Sequence, residues 1–131
     1  MTRRPSRASR ATAAAALLAA CTPDYGELTR AEATLLTSGG DPARAPASIV
    51  AHGCGSCHAI PGIPGADSYV GPPLARFAER AYVGGVITNT PDHLVAWIVN
   101  PQALDPRTAM PNLGVSEREA RDIAAYLYSL R

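Results

Sequence analysis

Apolar residues recur at helical spacing in two stretches of the C-terminal half. Leu94, Trp97 and Ile98 fall on one face of a segment that opens at Thr90-Pro91 and stops at Asn100-Pro101. Thr90 suits an N-cap, Pro91 suits the first helical position, and Pro101 disfavours helical backbone at Asn100. After Ser116, the residues Ala120, Ile123, Ala124, Leu127 and Leu130 form a second stripe, bordered by Tyr126. Ser116 and Glu119 make a capping box there, with Glu117 and Glu119 near the positive end of the helix and Arg131 at the negative end. Core packing accounts for the stripe. A shorter helix is predicted over 46–52, with Pro46 at its start, Gly53 past its end and Ile49 and Val50 turned to the core. Residues 74–82 have room for another. No stretch alternates as a strand does and no segment repeats, so the class is all-α with long irregular loops. Loops this long argue against a compact domain unless they carry function.

The start of the chain follows other rules. Arg3, Arg4, Arg7 and Arg10 precede a short, Ala-rich apolar run that ends Leu18-Ala19-Ala20-Cys21. This is a secretory signal pattern over 1–20, too short to span a membrane. Its last four residues resemble a bacterial lipobox, in which Cys21 is lipidated and becomes the new N-terminus. A plain signal peptide with Cys21 nearby by chance and a translated leader with no targeting role are the alternatives. Residues 21–45, with Pro23, Gly26, Gly39, Gly40 and Pro42, are expected to form a tether holding one or two helical turns between Glu27 and Leu36. Residues 46–131 are then the single domain.

With cleavage before Cys21, eight arginines, no lysine and eleven carboxylates remain, a balance of −3. Nucleic acid is therefore not an expected partner, because it calls for a clustered basic face. A domain of this size buries about two-thirds of its unfolded surface. With few aromatics, a large apolar cofactor is expected to supply part of the core.

The chemistry lies in Cys54-Gly55-Ser56-Cys57-His58. Two thiols three apart, followed at once by an imidazole, are the pattern that attaches a c-type haem. Each sulfur can bond one vinyl-derived carbon of the porphyrin, and the short turn between them aims His58 at the iron. Half of a zinc site or a CxxC redox pair are the alternatives. A structural zinc site needs four ligands, and His52 and His93 offer no second pair at suitable spacing. A redox CxxC belongs in a βαβ context. The three cysteines divide between this motif and Cys21, leaving no pair for a disulfide.

Methionine occurs only at Met1 and Met110. Met110 lies in the loop Thr108-Ala109-Met110-Pro111, between the two well-marked helices. A packing role is the ordinary fate of such a residue. As the single thioether of the mature chain it is instead read as the second axial ligand. His/Met ligation is the arrangement of cytochromes c and raises the reduction potential. His52 and His93 are alternative distal ligands in principle and are expected to face solvent.

From about Pro46 to Leu130 the chain resembles class I c-type cytochromes, above all small membrane-anchored bacterial ones and the cytochrome c domains fused to oxidase subunits. The ordered residues that carry this are Cys54-Gly55-Ser56-Cys57-His58, Gly71-Pro72-Pro73-Leu74, Asn100-Pro101, Met110-Pro111 and Ala125-Tyr126-Leu127. The resemblance implies a cytochrome c fold of three main helices, with long loops wrapped around one covalently bound haem c. It implies that the Pro72 carbonyl accepts the proton-bearing nitrogen of His58 and that Leu74 packs on the haem. Arg80 and Thr108 are placed to reach propionates, and Asn89 or Thr90 could do the same. Trp97 stands where many relatives carry a tyrosine near the methionine sulfur, although plain core packing is its simpler role. Relatives commonly place a Gly and an aromatic where the first and last helices cross. Here Ala45 and Ala47 are left to allow close approach to Tyr126. The lysine ring used for docking in mitochondrial relatives has no counterpart.

The expected function is that of a periplasmic, lipid-anchored electron carrier, not an enzyme. It would serve a terminal oxidase, a quinol:cytochrome c reductase or a periplasmic dehydrogenase. The alternative is a dedicated electron-transfer subunit of a haem–copper oxidase or dehydrogenase complex. Catalysis at the haem, as a peroxidase or gas sensor, would require an open distal position. A haem-free structural metal domain would contain zinc.

Overall fold

The computed structural model describes residues 29–130. Its elements run in the order α1 (Arg30–Leu36), α2 (Ala45–Ala51), a 3-10 turn (Cys54–Ser56), a second 3-10 turn (Phe77–Glu79), the strands β1 (Tyr82–Val83) and β2 (Ile87–Thr88), α3 (Pro91–Val99), α4 (Pro101–Leu104) and α5 (Glu117–Tyr128). The fold is all-α apart from the small antiparallel hairpin, which pairs Tyr82 with Thr88 and Val83 with Ile87. The expectations for 1–20, for Cys21 and for Arg131 lie outside the described residues.

The two well-marked helices form where their caps place them. The Thr90 hydroxyl accepts from the His93 N–H at the start of α3, and Asn100 ends it. The Asn100 side chain then caps α4, a further turn that the Asn-Pro stop did not foretell. At α5, Ser116 and Glu119 close the capping box from both sides. The core sits where α3 and α5 meet, around Leu94, Trp97, Ile98, Ile123 and Leu127, with Phe77 set edge-to-face on Tyr128 at 6.2 Å.

Three expectations about the N-terminal half are corrected. The tether does not extend to residue 45, because α1 is already packed on the domain through Ala33. A Thr29–Glu32 capping box starts α1, whose Ala33 is fully buried, and α1 lies against α5. Asp122 of α5 then fastens the next turn. Its carboxylate accepts from the Asp41 N–H at 2.7 Å and from Arg44 at 2.7 and 2.9 Å. Burial works to raise the Asp122 carboxyl, but these bonds and the charges of Arg44 and Arg118 outweigh it and hold it low. In α2, Ile49 is buried as expected but Val50 is 62% exposed. A seven-residue helix lying on one neighbour buries one face, and the adjacent position points about 100° away. Ala45 is buried and Ala47 exposed, so Ala47 does not form the helix crossing.

The helix expected over 74–82 is a single 3-10 turn. Arg76 precedes it in the left-handed region (φ 53°), which a helix cannot propagate, and pairs with Glu79 across the turn. The hairpin that follows turns at Gly84-Gly85, both at positive φ. A Cβ at Gly84 would stand 2.3 Å from the Trp97 ring, so the turn rests directly on the indole.

Candidate haem site

A cavity of about 620 Å³ opens beside this core. Close-packed interiors leave few voids much larger than a water molecule, so a space of this size is a binding site. Ile49, Phe77, Val83, Leu94, Ile98 and Leu127 give it apolar walls. Nine of the residues singled out from the sequence border it: Cys54, Cys57, His58, Pro72, Leu74, Arg80, Trp97, Thr108 and Met110.

The cysteine motif is built as a tight turn. Gly53 follows α2 at φ 67°, and the main chain then closes on itself, with the Cys57 and His58 N–H groups both donating to the Cys54 carbonyl. Burial pushes the Cys54 thiol up, so it stands as a neutral S–H. His58 Nδ1 lies 2.7 Å from the Pro72 carbonyl oxygen. A carbonyl only accepts, so Nδ1 carries the hydrogen and the Nε2 lone pair is left available. The segment 71–74 is fixed to do this. Gly71 N–H donates to the Cys57 carbonyl at 2.7 Å and Leu74 N–H to the Ala59 carbonyl at 2.8 Å. Gly71 has a second reason to be glycine, since a Cβ there would fall 2.6 Å from His58 Cε1 and 2.8 Å from Nδ1.

Met110 is held at each of its polar atoms. Its N–H donates to Thr108 Oγ1 at 3.2 Å, its carbonyl accepts from Gln102 Nε2 at 2.6 Å, and its Sδ accepts from Trp97 Nε1 at 3.1 Å. Trp97 is therefore more than core packing. Gln102 escaped the sequence reading because a glutamine in a four-residue helix carries no pattern. Arg80 donates to the carbonyls of Pro73 and Ala75 and lies 5.0 Å above the Phe77 ring, so its charge is fixed at the cavity wall.

Other expectations change. The Asn89 amide is used up, its nitrogen donating to the Phe77 and Arg80 carbonyls and its oxygen accepting from Tyr128. Thr90 is engaged as the cap of α3. Neither borders the cavity. His93 is exposed, as expected, against the Thr88 carbonyl. His52 does not face solvent but lies half-buried between α2 and α5. Tyr126 reaches the loop after the cysteine motif, donating to the Pro61 carbonyl at 2.6 Å over Gly62. Among the described residues, no three or more His, Cys, Asp or Glu side chains gather as a metal site.

Two thiols, an imidazole with a free Nε2 and a thioether around one large apolar cavity define a class I c-type cytochrome domain. The chain belongs to the family described as cytochrome c oxidase, cbb3-type, subunit III, whose model matches residues 41–127. It is also 36% identical over 79 residues to cytochrome c oxidase subunit 2 of Alkalihalophilus pseudofirmus, a match covering 60% of this chain and 22% of the relative. The chain thus spans about a fifth of that protein's length. No solved structure matches it. Family membership makes haem c, covalently bound, the cofactor of this domain, and the size, apolar walls and donor set of the cavity fit it.

Proposed function

We propose that the protein is a one-electron carrier that delivers to, or forms part of, a respiratory oxidase. The observation that carries this reading is the convergence of His58 and Met110 on one cavity, each held by its own hydrogen bonds. Cys54 and Cys57 would hold the haem by thioether bonds, each thiol adding across a vinyl C=C with its hydrogen going to carbon. His58 would offer Nε2 to the iron, while the Pro72 carbonyl fixes its tautomer and raises its basicity. Met110 would give its sulfur to the same iron, an arrangement suited to electron transfer. When bound, the haem supplies an iron that takes up and releases one electron. Leu74 would pack on its face, and Arg80 and Thr108 would be the propionate partners. The Thr108 hydroxyl accepts from the Met110 N–H and keeps its own hydrogen to donate.

The matched family and the matched relative both carry the names of oxidase subunits, which favours an oxidase over a dehydrogenase as the partner. Export to the periplasm and a lipid anchor at Cys21 rest on the basic start and the Leu18-Ala19-Ala20-Cys21 run. The test is purification from native membranes. Covalent haem, a low-spin spectrum and the red Met–Fe(III) charge-transfer band are expected, with one oxidase co-purifying. Cys21→Ser should release the protein from the membrane with its spectrum intact. A colourless product, or a mass without an added macrocycle, defeats the proposal.

A further inference from the structure

Past Met110 the chain runs to the cap of α5 without secondary structure. In 111–115 no main-chain group bonds to another main-chain group, and the Gly114 N–H bonds only locally, to Asn112 Oδ1. One polar tie reaches this segment from outside it. His52 Nδ1 lies 3.2 Å from the Leu113 carbonyl, and Nε2 of the same ring lies 3.4 Å from Glu119 Oε1. His52 is the C-cap of α2, two residues before Cys54. Its ring therefore bridges the start of the cysteine motif, the strap that carries Met110 and the first turn of α5.

We infer that His52 is a positioning residue for the Met110 sulfur, acting through the main chain of Leu113, and that the bridge is complete only when the imidazole carries both protons. The inference rests on Met110 being an axial ligand. Both partners of the ring are acceptors. A carbonyl has no proton to give, and the Glu119 carboxylate is kept ionised, pulled down to about 2 by bonds from the Ser116 hydroxyl, the Ser116 N–H and His52. Glu119 is the charged side chain bonded to the ring. A neutral imidazole has one N–H and can satisfy only one of the two acceptors. The imidazolium satisfies both and sets its charge against the carboxylate. Losing a proton frees either the strap or Glu119.

The readout is displacement of Met110 in the ferric haem protein by added imidazole, followed by loss of the Met–Fe(III) band. Affinity is expressed as the ratio of variant to wild type at the same pH, which cancels the probe's own titration. His52→Phe removes the tie and should raise imidazole affinity roughly three- to tenfold at low pH, the loss of one hydrogen bond, with the excess shrinking as pH rises. His52→Asn puts an amide N–H where Nδ1 stands and should restore much of the wild-type resistance. Glu119→Gln can donate to Nε2, so a neutral His52 keeps both bonds; this variant should resist imidazole better than wild type at high pH. If His52→Phe fails to load haem, the other two variants still decide the matter. Wild-type affinity in all of them, at every pH, overturns the role of His52 while leaving the haem reading intact. A wild-type protein with no Met–Fe(III) band overturns both.

Discussion

The indole N–H of Trp97 points at the sulfur of Met110, 3.1 Å away, from a ring that is itself roofed by the Gly84 turn. A thioether sulfur has two lone pairs, so it can bind iron with one and accept this hydrogen bond with the other. The bond withdraws electron density from the sulfur. That weakens its donation to Fe(III) more than to Fe(II) and raises the potential.

Trp97→Phe keeps an aromatic ring in place and deletes the donor. The potential should fall by about 20–60 mV, the value of one ordinary hydrogen bond expressed for a single electron. Redox titration of the variant against the wild type measures it. If Trp97 only fills space, the potential will stay where it was while the melting temperature drops.

Met110→Ala should open the sixth position of the haem iron. The Met–Fe(III) band should vanish, and carbon monoxide, which the reduced wild type should refuse, should bind. An unchanged spectrum in the variant would remove Met110 from the ligand set.

Gly71→Ala tests how closely the main chain covers the imidazole. The added methyl meets the His58 ring at 2.6 Å, against neighbours fixed by the bonds of Gly71 and Leu74. Overpacking of this kind costs about 1–3 kcal/mol. The variant should load less haem and melt earlier. A normal haem content with an unshifted melt would mean that the ring can swing aside.

Acid should loosen the fold in a defined window. Asp122 and Glu119 are both held below their ordinary values of 3.8 and 4.5, Glu119 at about 2. Groups depressed by folding stabilise the native state fully above the unfolded values, and that contribution is lost as pH falls toward the folded ones. Thermal melts of the haem protein should decline as pH falls between about 4.5 and 2. Asp122→Asn should cost about 1–3 kcal/mol at neutral pH, moderated because Arg44 is half-exposed and can turn to water. Its acid decline should also be shallower than that of the wild type. Equal slopes would exclude Asp122 as a source of the acid sensitivity.

Local chemistry was readable from the chain, and partnerships across it were not. The cysteine turn and the caps at Thr90 and Ser116 act within a few residues of themselves, so spacing reveals them, and Met110 stands out because Met1 is the one other methionine in the sequence. Asp122 interrupts an apolar stripe with no periodic signature, and its partners lie 78 and 81 positions away. Gln102 and His52 are single polar residues whose meaning depends on which carbonyl the fold brings to them. The hairpin at 82–88 has two residues per strand, too few to alternate. The helix at 30–36 was legible only as a turn or two, and its packing on α5 depends on a contact that no local pattern encodes.

The three bonds on Met110 also bear on speed. An electron hop is slow when the surroundings must shift to suit the new charge, and groups fixed beforehand spare that shift. With its nitrogen, oxygen and sulfur each tied to a different side chain, this residue has little freedom to recoil. The barrier to gaining or giving up an electron should therefore be set mainly by the distance to the partner, and only weakly by rearrangement inside the domain.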